Sequence, residues 1–388
     1  MKNKNFLRKL LPQHMTRQLR EILVSTILLN LALAMVMIFE PIYLYQLGYS
    51  LQEIIWFYLL LYAVYFFIMP LGAKFSRYKG YEWGIFWGSF FFAAFYLSLF
   101  LIPSMPIFFY IAPLIFAVQK MFYWPAYHAG FAKFSDAREE GREIGTVNGV
   151  TSLVYIVGPA LAGFIVLDWG YGALFLMASI IFLLSNIPTL ITKEIFEAKS
   201  FSYVQAYKEL FARENRRAFL AYLGFGEEFV VMILWPIFIS LIVVNVFDLG
   251  LLVAGATFIT VLITIYVGRL SDSKSRRLVL TLGSSFYSLA WFIRLFIVNQ
   301  LGVFFVDTMS RLSKNMVMVP LTTITYERAK EKHGVMSGVI FFEMSLVIGK
   351  ILAMLIILAL LFFIGDEVFV MKLAFILAGI MSLLYMSL

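Results

Sequence analysis

The residues of this chain that carry chemistry are few, and most of them lie inside long apolar runs. The stretch "LGFGEEFVV" sets Glu227 and Glu228 side by side, and "VDTMSRLSKNMVMVP" places Asp307, Arg311 and Lys314 at spacings of four and three. Lys120 stands in "AVQKMFYWP", with Tyr123, Trp124, Tyr127 and His128 just beyond it, and Glu343 and Lys350 follow seven apart in another apolar run. A charge at mid-bilayer costs at least about 2.5 kcal/mol, so each of these needs a reason. Two adjacent carboxylates removed from water resist joint ionisation near neutral pH. One of Glu227 and Glu228 is therefore expected to hold a proton, the property a proton-coupled carrier requires. Neighbouring helical residues diverge by about 100°, so one of the pair should face a central cavity and the other a neighbouring helix. The competing reading is a structural ion pair with a cation from the tenth or eleventh apolar segment. Asp307, Arg311 and Lys314 share one helical stripe. Asp307 lies at a depth like that of Arg294, which predicts a structural pair between those two. Lys120, Arg311, Lys314 and Lys350 near mid-membrane, against two glutamates, predict a cavity that tolerates anions. The aromatic cluster around His128 either packs or stacks on a solute. Asn30 and Glu40 are further polar candidates for the lining, although Glu40 precedes Pro41 near a membrane surface and would snorkel to water.

Enzymatic readings find no support in these residues. The sequence contains neither G-x-x-x-x-G-K-[ST] nor H-E-x-x-H, and His128 has no nucleophile motif beside it. Asp307 is the only aspartate within an apolar segment, which removes a paired-aspartate intramembrane protease. With no cysteine in the chain, disulfides and thiolate metal sites are excluded. No cofactor and no metal is expected; the energy source would be a proton gradient.

The elements that must position these groups follow from composition. Of 388 residues, 62% are hydrophobic, 18% aromatic and only 14% charged, so the chain belongs in a bilayer. Twelve segments are long enough to cross about 30 Å of hydrocarbon as helices. They run 22–46, 51–73, 82–104, 106–132, 144–167, 171–192, 217–243, 249–270, 277–298, 301–325, 336–363 and 367–387. They do not alternate as barrel strands would. Twenty-five of the 31 lysines and arginines lie in the N-terminal arm and in or at the edges of the breaks after segments 2, 4, 6, 8 and 10, whereas on the opposite side only Lys372, near the start of the last segment, is found. Both termini are therefore expected in the cytoplasm, with the plasma (inner) membrane as the location. The net charge of +8 follows from the same bias and calls for anionic lipid rather than nucleic acid.

The sequence divides into a cytoplasmic arm (1–21), a six-helix bundle (22–192), a cytoplasmic linker (193–216) and a second bundle (217–388). Internal similarity supports the division. "EPIYLY" at 40–45 matches "WPIFIS" at 235–240, Gly72 matches Gly268, and "WPAYHAGFAKF" from Trp124 matches "VPLTTITYERA" from Val319. The expected fold is an all-α polytopic membrane protein, with twelve transmembrane helices in two bundles related by a pseudo-twofold along the membrane normal. A solute would bind between the halves.

The break after segment 8 reads "GRLSDSKSRR". With Gly268, Asp272, Arg276 and Arg277 it resembles the loop signature of the major facilitator superfamily, in which glycine is followed by aspartate and a basic cluster. The first half keeps Gly72 and Arg77 in "GAKFSRYKG" but has Ser76 where aspartate is expected. "GTVNGVTSLVYIVGPALAG" resembles the superfamily's antiporter-associated pattern through Gly145, Gly158, Pro159 and Gly163, with Val154 and Ala162 departing from it. A face of small residues for close helix packing explains the same residues. The resemblance implies a secondary transporter working by alternating access, with helices 1, 4, 7 and 10 lining the cavity. It also implies a latch in which Asp272 approaches the start of segment 5 near Gly145, with Ser76 a weaker helix cap in the other half. Two transport readings follow: proton-coupled export of a drug-like solute, and proton-linked uptake of a small organic anion. A non-transporting scaffold or receptor is the reading from another class. A monomer is expected, with the bilayer and a small solute as partners.

Overall fold

The computed structural model describes residues 17–134, 140–188, 202–268, 276–331 and 335–388. All regular structure among them is helical, and nine helices are long and apolar enough to span a membrane. The count becomes twelve for physical reasons. The helix Glu140–Leu184 is broken at Gly170, whose φ of +78° and ψ of 173° are not helical, so it forms α5 and α6. Phe108–Phe134 (α4) and Gln300–Glu331 (α10) span 27 and 32 residues, ample for the bilayer. The latter carries the charged stripe that lowers its apolar average. The others are α1 (Arg17–Val36, resuming as Phe39–Gln46), α2 (Leu51–Lys79), α3 (Tyr81–Leu101) and α7 (from Arg216–Leu223 through to Trp235–Ile242). Then come α8 (Val246–Gly268), α9 (Arg276–Ile293), α11 (Val335–Ile364) and α12 (Glu367–Leu383). Exposed Trp83, Trp87, Phe90, Phe100, Phe286 and Phe305 present the apolar outer surface that a bilayer solvates.

Two prolines separated by the repeat offset break the cavity helices at equivalent points. Pro41 has no N–H for the carbonyl of Met37, and α1 loses its helical turn at Met37–Ile38. Pro236 likewise has none for Met232, and α7 widens there into a π turn over Val230–Leu234. Pro70 has no N–H for the carbonyl of Phe66, although α2 stays helical through it, and that carbonyl and its neighbour have an identifiable use. Tyr203 and Tyr207 on a short linker helix (Tyr203–Phe211) donate to Phe67 O at 2.9 Å and Phe66 O at 3.3 Å, docking the linker onto the first half. Burial pushes the Tyr207 hydroxyl's pKa well up.

Glycines set the closest approaches. A Cβ on Gly72 would run into the Met121 carbonyl, so α2 and α4 touch through it. A Cβ on Gly158 would sit 2.6 Å from that of Ala34 on α1, and one on Gly163 would sit 2.9 Å from Val246 O. Gly250 meets the Pro159 carbonyl in the same α5–α8 seam. Gly158, Pro159 and Gly163 thus serve close packing of α5 against α1 and α8. Ser76 is buried inside α2 with its hydroxyl unpartnered and faces Gly84 on α3, not a helix start, so it caps nothing. Gly145 is within α5 and Gly268 ends α8, but their surroundings, and Asp272 altogether, lie outside the described residues. Arg276 opens α9 and joins Glu327 on α10 at 2.8 Å; Arg277 beside it is exposed and Arg77 half-buried.

On the face away from the termini the halves are joined by Glu367. Its carboxylate accepts from the Leu51 amide at 2.8 Å and the Tyr45 hydroxyl at 3.1 Å. Glu367 at the head of α12 therefore caps the first turn of α2 across the interface, alongside the helix's own Ser50–Glu53 capping box. The second half's equivalent helix α8 is capped locally, by Asn245.

Candidate functional site

Glu227 and Glu228 sit on a short helical turn, Gly226–Phe229, between an irregular step at Gly224–Phe225 and the π turn. This break aims them at different neighbours. Glu227 is completely buried: it accepts from Tyr287 of α9 at 2.5 Å and from Tyr385, just beyond α12, at 2.8 Å, and it pairs with Lys314 of α10. Glu228 points to the centre of the molecule, with Lys350 of α11 at 2.9 Å and Lys314 at 3.6 Å. Lys314 is thus shared by both carboxylates, and its ammonium also donates to the Tyr385 hydroxyl at 3.0 Å. Buried charges survive only when paired and hydrogen-bonded, and here four of them satisfy one another.

A cavity of about 1080 Å³ opens beside this cluster. Met37 and Ile38 of α1, Tyr127 of α4, Thr151 and Tyr155 of α5, and Glu228, Met232 and Trp235 of α7 line it. Thr257 and Thr260 of α8, Arg294 just beyond α9, and Asp307, Arg311, Lys314, Asn315 and Thr322 of α10 complete the lining. One wall is the polar stripe of α10; the facing walls are largely apolar. The cavity reaches the terminus-bearing surface at the Arg276–Glu327 pair, whose side chains are 60% and 54% exposed. Toward the opposite face the ends of α1 and α7 pack together beneath Glu367.

Several expected residues stand elsewhere. Glu40 neither lines the cavity nor reaches water: it is buried within the first bundle, accepting from Tyr58 at 2.6 Å and Tyr96 at 2.8 Å. The predicted Asp307–Arg294 pair is absent. Asp307 accepts from Arg311 Nε at 2.7 Å and Trp235 Nε1 at 3.2 Å, because the i,i+4 spacing along α10 brings Arg311 closer than any group on α9. Asn30 donates to Thr26 O and accepts from Tyr155 at 3.3 Å, placing it one residue behind the lining. Lys120 is boxed by the rings of Phe116, Tyr62 and Trp124 at 4.6–5.8 Å, with no carboxylate at ion-pair distance among the described residues. Tyr123 is buried in packing. Helices α5, α8 and α9 line the cavity as well as the expected α1, α4, α7 and α10.

His128 and Glu343 form a second inter-helix cluster. His128 Nε2 lies 3.3 Å from Glu343 Oε1, its Nδ1 lies 2.7 Å from the Tyr326 hydroxyl on α10, and Tyr65 of α2 donates to Glu343 Oε2 at 3.0 Å. Four helices of both halves meet there. Sequence reasoning did not find Tyr65, Tyr155, Tyr287, Tyr326 or Tyr385. They are members of a 21-tyrosine population, and only the partner across the interface distinguishes them.

A charged cavity between two helical bundles, closed toward one face and reaching the surface at the other, is the architecture of a membrane carrier. The sequence matches the family model of the Major Facilitator Superfamily over residues 22–349, and the chain belongs to that superfamily. It is an integral, multi-pass secondary membrane transporter. No curated protein matches it.

Proposed function

We propose that this transporter couples solute movement to protons through Glu228, and that proton and solute bind together. The observation that carries the reading is Glu228 itself, a cavity-lining carboxylate held between Lys314 and Lys350. Protonating it removes the carboxylate paired with Lys350 and one of the two paired with Lys314, which leaves an excess of positive charge for an anionic solute. An occupied anion in turn favours the protonated carboxyl. Such mutual stabilisation gives co-transport of a proton with an organic anion, uptake when the outside is acid. The basic breaks between spans support cytoplasmic termini and a plasma (inner) membrane location. The cavity would then be the cytoplasm-facing one, and the carrier works as a monomer. The second reading is export of a drug-like solute by antiport. The helix 5 resemblance and the apolar wall of Met37, Ile38, Val231 and Met232 favour it.

Proteoliposomes holding the full chain test both. A labelled panel of organic acids and amphiphilic cations is followed under pH gradients of either sign. Acid accumulation driven by external acidity supports the first reading. Cation movement driven against the proton gradient supports the second, and indifference of every solute to pH refutes proton coupling.

A further inference from the structure

A charge taken wholly out of water needs a counter-charge or a full set of hydrogen bonds. Arg294 has neither. Its side chain is fully buried at the cavity wall, it donates Nη2 to Ser310 at 2.9 Å, and its Nε and Nη1 have no partner. Trp291 and Trp235 cover its faces, with ring centres 3.7 and 4.3 Å from the guanidinium carbon. Cation–π contact stabilises the charge through those faces and leaves the N–H edge unbonded. A carboxylate is close by and engaged elsewhere: Asp307 is held by Arg311 and by the indole N–H of Trp235, the same ring that covers Arg294. Arg294, Asp307, Ser310 and Arg311 all line the one cavity. Among the described lining residues, Arg276, Arg294, Arg311 and Lys314 face only Glu228, Asp307 and Glu327. Glu227 and Lys350, which join the buried cluster, cancel each other. Arg294, Asp307 and Arg311 by themselves are one negative charge short, whether Glu228 is ionised or protonated.

We propose that Arg294, Asp307 and Arg311 form the anion site for the solute, with Asp307 occupying Arg311 as an internal stand-in until the solute arrives. The solute's acid group takes Arg311, Asp307 shifts onto the free edge of Arg294, and the cluster becomes neutral. This deepens the co-transport reading and rests on it, with the acid group placed on Arg311, one helical turn along α10 from the Lys314 that Glu228 partly releases on protonation. Charge balance within the triad selects a single acid group: a neutral molecule leaves Arg294 unpaired, and a second acid group finds no partner among these three residues. Val231, Met232, Pro236 and Ile239 beside the site offer apolar surface to the body of the molecule. The substrate class is therefore a small monocarboxylic acid with an apolar body.

The test is equilibrium binding of radiolabelled benzoate to the full-length protein in phosphatidylcholine nanodiscs, with benzyl alcohol and phthalate as competitors. Benzoate should bind and resist both competitors. Asp307→Asn should tighten it by about tenfold, since the resident competitor is gone. Arg294→Gln should weaken it by about tenfold, because displaced Asp307 then has nowhere to go. The double variant should return to near the wild-type value. A merely structural Arg294 predicts a loss that the second substitution does not repair. Thermal unfolding with and without benzoate shows that each variant is folded, and Asp307→Asn should be stabilised more than wild type. The proposal is overturned if Asp307→Asn weakens binding, if benzyl alcohol competes as well as benzoate, or if neither benzoate nor phenylacetate binds. Acid uptake that follows the pH gradient but ignores both substitutions removes the triad and leaves proton coupling standing. No pH-driven movement of any solute removes the reading beneath it.

Discussion

Replacing each of the two adjacent glutamates by glutamine should separate folding from coupling. In Glu227→Gln the amide replaces a wholly buried carboxylate that holds two tyrosine hydroxyls and Lys314. Two charge-assisted hydrogen bonds weaken, but Lys314 keeps Glu228 at 3.6 Å, worth roughly 4–5 kcal/mol of gross attraction at an effective dielectric near 20. The net loss is therefore at the lower end for a broken buried pair, about 3 kcal/mol. Glu228 is different, because its side chain is 15% exposed to the cavity and water can solvate what its removal frees. Lys350 also keeps the Tyr62 ring, whose centre is 5.1 Å away. Glu228→Gln should cost less than Glu227→Gln, about 2 kcal/mol, because the amide still accepts from Lys350. The functional effects should run the other way. A gradient of one pH unit is worth about 1.4 kcal/mol, a tenfold solute ratio at one proton per solute. In proteoliposomes Glu228→Gln should bring that ratio to unity while solute counterflow continues. Glu227→Gln should unfold earlier in a thermal scan, and what remains folded should still accumulate solute. Undiminished accumulation by Glu228→Gln, or its loss in Glu227→Gln alone, would refute the assignment of the proton to Glu228.

Three further outcomes follow from contacts between and within the halves, and the absence of cysteine makes single-cysteine labelling free of background. Glu367→Ala removes the acceptor for Leu51 N and Tyr45 and should shift the carrier about fivefold toward the state open at that face, read as faster maleimide labelling of a cysteine placed at Ile239. His128→Gln loosens the junction of α4 with Glu343 and Tyr326 and should speed labelling of a cysteine at Thr323 from the terminus-bearing side; unchanged labelling would show that the junction does not hold that side. Gly72→Ala should cost about 2 kcal/mol or more, since its Cβ collides with the Met121 carbonyl. Ser76→Ala, four residues on, should lie within about 0.5 kcal/mol of wild type because its hydroxyl bonds to nothing; thermal unfolding compares the two.

Much of this protein was legible before any coordinate. Helix number and class follow from apolar length alone, because a backbone in hydrocarbon has no alternative to the helix here. Apolar length reads 22–46 and 217–243 as unbroken; the structure shows the breaks at Met37 and Met232, for which Pro41 and Pro236, each lacking an N–H, are the local cause. That Glu227 and Glu228 would part company is implied by the helical angle between neighbours. What sequence left open are the choices that depend on distance. Glu40 reads as a snorkelling residue until Tyr58 and Tyr96 are seen to close over it. Asp307 has two arginine candidates, and only the packing of α7, α9 and α10 around Trp235 gives it to Arg311 and strands Arg294 between two indoles. Lys314 and Lys350 are two cations near mid-membrane in the sequence; the tertiary structure makes them the pair that holds Glu228. Periodicity along one helix fixes which side chains share a face. Partners across an interface are fixed by the fit of other helices, and electrostatic energy falls with a separation that only that fit determines.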